Sequence, residues 1–114
     1  MISFVWPVGL PMLAGTGGSE TFTAGQVREL LRRSIKTQVV TIGHGIQDGR
    51  DDFPDIPFLA LKSQEEIRNL SGTVVFVNKP YASKTKNKAA VILHCVTPEL
   101  EEQQELKTVL RAKP

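Results

Sequence analysis

The chain has 114 residues, 40% of them hydrophobic, enough for one small globular domain. Its 14 lysines and arginines against 12 aspartates and glutamates leave a net charge of +2, too small to imply nucleic acid as a bulk partner. The single cysteine, Cys95, excludes an internal disulfide and fits a reducing, cytoplasmic setting. The N-terminus lacks the basic flank of a signal peptide, and Pro7 and Pro11 interrupt its apolar run. No apolar run approaches the ~18 residues that span a bilayer.

Ile2 to Trp6 reads as a buried strand, followed by a long apolar loop with Val8, Leu10, Met12 and Leu13. The loop ends in Gly15-Thr16-Gly17-Gly18-Ser19-Glu20. Glycines between a strand and a helix allow close approach of backbone to ligand, and first-turn amides suit a phosphate or carboxylate. Glu20 stands where a dinucleotide fingerprint needs its third glycine, and no Gly-Lys-Ser or Gly-Lys-Thr of a P-loop follows. Thr21 to Ser34 reads as a helix, with Val27, Leu30, Leu31 and Ile35 on the buried side and Arg28, Glu29, Arg32 and Arg33 on a solvated one.

Thr37 to Ile42 is rich in β-branched residues and reads as a second strand, so a right-handed βαβ unit with parallel strands is expected. Gly43-His44-Gly45 ends it. The stretch from Gln47 to Pro57 holds Asp48, Asp51, Asp52 and Asp55 without the spacing of a calcium loop, and reads as a solvated loop. Phe58 to Leu61 is a third strand. Ser63 and Glu66 form a capping box for a short helix ending near Leu70, with Gly72 as its C′ residue. Thr73 to Val77 is apolar throughout, as in a strand buried on both faces.

Asn78 to Lys88 carries Lys79, Lys84, Lys86 and Lys88 with Tyr81, and reads as a solvated connection or short helix; tracking of a nucleic-acid backbone is a second reading and contact with anionic lipid headgroups a third. Ala89 to Leu93 is a fifth strand, running into His94 and Cys95. Thr97 and Pro98 open a final helix with acids early and bases late.

Ligands of an open parallel sheet bind beyond the carboxyl ends of its strands. That edge collects the Gly15–Ser19 loop, His44, Asn78 and His94. No nucleophile elbow is present, Cys95 and His94 point to opposite faces of a strand, and two histidines with one cysteine make a poor zinc set, so no metal site is expected.

The order of these motifs resembles the opening of retaining GT-B glycosyltransferases of the group 1, or family 4-like, type. The resemblance is carried by Gly17-Gly18-Ser19-Glu20 as a GG-x-E loop, AGQVRELLRR as the helix and QVVTIG as the strand. The later VVFVN and VILHCVTP segments extend it by order and spacing over nearly the whole chain. It implies the N-terminal, acceptor-side half of two facing Rossmann-like domains: about five parallel strands with helices on both faces, in one domain over residues 1–114. It implies that Gly17, Gly18 and Ser19 meet the donor sugar or diphosphate and that His94 contacts the transferred sugar as the catalytic group. His44 and Asn78 are expected on the acceptor side.

Ser34 departs from the family's glycine at the helix end, and the donor domain with its E-x7-E motif has no counterpart here, since EEQQE lacks that spacing. The chain therefore reads as a fragment, inactive alone. Its implied partners are a nucleoside diphosphate sugar as donor substrate, an acceptor hydroxyl and a donor domain in cis or in trans. No cofactor and no nucleic acid are implied. Dimerisation through an exposed sheet edge and peripheral membrane contact are compatible with the chain. The alternative is a stand-alone flavodoxin-like module whose glycine loop binds a phosphorylated ligand.

Overall fold

The computed structural model describes residues 1–15, 17–78 and, as backbone, 89–92. The expected elements Leu93, His94, Cys95, the lysine segment 79–88 and the final helix lie outside the described residues.

Five strands, β1 (Ile2–Val5), β2 (Thr37–Ile42), β3 (Phe58–Leu61), β4 (Thr73–Val77) and β5 (Ala89–Ile92), form one sheet in the order β3-β2-β1-β4-β5. Every pairing is parallel, with Phe4 opposite both Val39 and Val75. This is the Rossmann-like order; the flavodoxin-like order would place β2 at the edge and β3 beside β1.

Alternation along the strands divides the core. Phe4, Trp6, Val39, Val75 and Val77 pack on one face with Ala24 and Val27 of the helix α1 (Gly18–Arg32) and with Phe53 and Ile56 of the loop before β3. Val5, Val40, Ile42, Val74 and Phe76 pack on the other with Ile67 and Leu70. Among the described residues, helical cover is thus α1 on one face and the 3-10 helix Gln64–Asn69 on the other. β4 is apolar throughout because Val74 and Phe76 serve one layer while Val75 and Val77 serve the second.

Helix α1 begins three residues before the expected Thr21 because Gly17 acts as its N-cap. It ends at Arg33 in a Schellman arrangement: Ser34 N–H donates to the Leu31 carbonyl at 2.9 Å and Ile35 N–H to that of Leu30 at 3.0 Å. The missing glycine at Ser34 does not prevent the stop, since Ser34 itself takes the left-handed conformation at φ 62°. Its Cβ makes that conformation costly. The second helix is 3-10, and its Glu66 carboxylate accepts from the N–H of Lys62 at 2.6 Å and of Ser63 at 3.1 Å. It ends with Leu70 already extended, so Gly72 is no helix stop. Gly72, at φ 77°, instead passes the start of β1, where a Cβ would fall 2.1 Å from the Met1 carbonyl oxygen.

Ser34→Gly should therefore raise stability by about 1 kcal/mol in urea denaturation, and Gly72→Ala should lower it by about 2 kcal/mol or more. Gly18→Ala, whose Cβ would meet nothing within 4 Å, should stay within about 0.5 kcal/mol of the parent.

Candidate functional site

The connections from β1 to β2 and from β2 to β3 place α1 and then Phe53 and Ile56 on one face, whereas the connection from β3 to β4 places Ile67 and Leu70 on the other. The chain thus changes sides between the adjacent strands β1 and β4. A crevice opens at their carboxyl ends, the switch point where open α/β sheets take ligands. A cleft of about 370 Å³ occupies this position, lined by Trp6, Leu10, Pro11, Leu13, Gly17, Ser19, Glu20 and Asn78.

The β1–α1 loop forms the apolar wall. Trp6 N–H continues the sheet by donating to Val40 at 2.8 Å, and Gly9 N–H donates to Ile42 at 3.0 Å. The Trp6 indole donates to the Pro11 carbonyl at 3.2 Å, which fixes the ring under the loop. Leu10 and Leu13 stand partly in solvent, 54% and 38% exposed, so the wall presents apolar surface at the mouth of the cleft.

A second loop holds the first. Met12 N–H donates to the Asp48 carbonyl at 2.9 Å, and Ala14 N–H to the Asp52 carboxylate at 2.9 Å. Gly49, at φ 116°, lies so close that a Cβ would fall 1.9 Å from the Met12 carbonyl oxygen. The Asp48 carboxylate is fully buried and takes Arg50 as a fork, with Nη2 at 2.8 Å and Nε at 3.1 Å. Arg28 of α1 reaches Asp55 at 2.6 Å and lies over the Phe53 ring, so the same loop is tied to the helix. The aspartate stretch is therefore a clamp, not a solvated loop. Among the described residues no group of three or more histidines, cysteines, aspartates and glutamates could hold a metal ion.

On the polar side, Ser19 and Asn78 meet: the Asn78 amide donates to Ser19 Oγ at 3.1 Å. Asn78 follows β4 at φ 64°, a left-handed turn that asparagine tolerates better than most residues. Glu20 is 2% exposed, and its Oε1 accepts the Gly17 N–H at 2.7 Å. This is one half of a capping box with glycine as the N-cap. The Gly17 N–H is thereby held by the chain's own carboxylate. Gly18 is exposed and does not line the cleft.

Of the residues expected at this edge, the fold brings Gly17, Ser19 and Asn78 together and leaves His44 apart. His44 sits beyond β2, as the N-cap of the 3-10 helix Gly45–Gln47, and does not line the cleft. Its Nε2 is shielded from solvent without a hydrogen-bond partner among the described residues. His94 lies outside the described residues. Sequence reasoning passed over Trp6, Pro11 and Glu20 as lining groups, although the Gly17–Glu20 interval matches the N-cap to N3 spacing of a capping box.

Comparison with protein-family models, with curated proteins and with solved structures returns no match. No helix among the described residues is long and apolar enough to cross a membrane.

Burial of the Asp48 carboxyl opposes its ionisation, but the hydrogen bonds and charge of Arg50 prevail and hold its pKa below the ordinary value. A carboxyl with a lowered folded-state pKa stabilises the fold above its unfolded pKa of ~3.9, and that contribution is lost as pH falls through the folded value. Asp48→Asn should cost about 1–2 kcal/mol at neutral pH. It should also flatten the loss of stability below about pH 4, read from urea denaturation across pH 3 to 7.

Proposed function

We propose that this chain forms the acceptor-side half of a sugar-transfer enzyme of the GT-B kind, with the cleft between the β1–α1 loop and Asn78 as the place where sugar and acceptor hydroxyl meet. The observation that carries this reading is the composition of the switch-point cleft: an apolar wall of Trp6, Leu10, Pro11 and Leu13 faces a polar edge of Ser19, Glu20 and Asn78. Apolar surface covers the carbon faces of a sugar, while a hydroxyl, an amide and a carboxylate match its hydroxyl groups. The parallel order β3-β2-β1-β4-β5 and the GG-x-E loop opening α1 agree with the same reading.

In this reaction a sugar passes from a nucleoside diphosphate to an acceptor hydroxyl. A donor-nucleotide domain, in cis or in trans, binds the nucleotide and closes over the cleft. Ser19 and Asn78 orient sugar hydroxyls, and the clamp from Asp48 to Phe53 keeps the apolar wall in place. His94, by its resemblance to the family's strand-end histidine, contacts the transferred sugar and stabilises charge that develops on it.

Asn78→Gly keeps the left-handed backbone and removes the amide. In a transfer assay on the native gene product with a nucleoside diphosphate sugar, it should raise KM about tenfold without lowering Tm, the loss expected for one or two hydrogen bonds. His94→Ala should lower kcat about tenfold or more. Unchanged kinetics in both variants would overturn the site, and absence of transfer in a product that contains a second Rossmann-like domain would overturn the reaction.

A further inference from the structure

Exposure divides the lining of the cleft into two zones. Trp6 is buried, and Ser19 and Asn78, joined by their 3.1 Å hydrogen bond, are half-buried. Leu10 and Leu13 are exposed and stand at the mouth. Their exposure is imposed by the fold. Met12 between them is fully buried, and its N–H and that of Ala14 are held by Asp48 and Asp52. The chain thus keeps two large aliphatic side chains in water at the entrance of a cleft with a polar edge, where their burial by a ligand is favourable. Leucine side chains offer a ligand no hydrogen bond. A second sugar ring lying over them would hold hydroxyl groups desolvated and unpaired, whereas a hydrocarbon chain or ring would not. The volume of about 370 Å³ is that of a small-molecule site.

We propose that Leu10 and Leu13 are specificity-determining residues and that the acceptor is a small alcohol with an apolar body. Its chain or ring lies against the two leucines, and its hydroxyl reaches the Ser19–Asn78 edge. The proposal rests on the sugar-transfer reading for this hydroxyl's being the one that receives the sugar; the binding of the alcohol does not depend on that reading. Ile46 supplies a control, because it is 78% exposed and does not line the cleft.

The test is an NMR titration of the full chain with 1-butanol, 1-hexanol and maltose, followed at the Trp6 indole N–H and the Asn78 side-chain amide. Both signals should move with the alcohols. 1-Hexanol should bind about tenfold tighter than 1-butanol, the gain expected from burying two further methylenes. In the double variant Leu10→Ser, Leu13→Ser that difference should fall to about twofold or less, and each single variant should lose part of it. In Ile46→Ser it should persist. All three positions are exposed, so the variants should keep the parent's stability in urea. Equal affinity for the two alcohols, or a length dependence that survives in the double variant, would overturn the proposal. Maltose bound more tightly than 1-hexanol would overturn it in favour of a sugar acceptor. Association with phosphatidylcholine vesicles, with no response to either alcohol, would overturn it in favour of a membrane surface. Binding of 1-hexanol as expected, with no sugar passed to it by a native gene product that holds a second Rossmann-like domain, would leave the alcohol site standing and count against the sugar-transfer reading alone.

Discussion

The grip of the Asp48–Phe53 loop on the β1–α1 loop determines whether there is a cleft at all. Among the described residues the stretch from Trp6 to Gly17 has no regular secondary structure, and loops of that length are usually mobile unless something holds them. Here Met12 and Ala14 donate their amides to Asp48 and Asp52, and Gly49 packs against the Met12 carbonyl at a distance that excludes any side chain. Buried Met12 then carries the exposed Leu10 and Leu13 on either side of it as a wall. The Arg50 fork on Asp48 keeps the holding loop in shape, and Arg28 with Asp55 couples it to α1. A site built this way is ordered before any ligand arrives, which reduces the entropy that binding must overcome.

Topology decides where that ordered wall stands. Parallel pairing on both sides of β1 puts the β1–α1 loop next to the residue that follows β4, although 59 positions separate Ser19 from Asn78. The strands that bring them together are deeply buried, with Val5, Val74, Phe76 and Val77 inaccessible to solvent. The polar edge of the cleft is thus carried by the start of α1 and the end of the buried strand β4, and its apolar edge by a loop held by its neighbours.

Much of this was legible in the chain. The β-branched runs Thr37–Ile42 and Thr73–Val77 and the short Phe58–Leu61 coincide with β2, β4 and β3, because propensity and burial act in the same direction there. The start of α1 was not legible from hydrophobic spacing, since Gly18, Ser19 and Glu20 precede the first apolar turn; only the interval from Gly17 to Glu20 betrays the cap. The aspartates could not be sorted by sequence either. Asp48 is buried and paired while Asp51 and Asp52 are exposed, and nothing local distinguishes them; the difference is the approach of Met12 from a distant loop. His44, flanked by positive-φ glycines, resembled a site residue but turns away with its own short helix. The cleft itself required two segments from opposite ends of the described chain, which no local pattern can join.

The most direct measurement is a crystal structure of the chain with methyl α-glucoside. Sugar seated between the Leu10–Leu13 wall and Asn78, with hydroxyls on Ser19 and the Asn78 amide, is the result this account predicts. Sugar bound elsewhere on the sheet, or a cleft left closed by a β1–α1 loop released from Asp48 and Asp52, would contradict it.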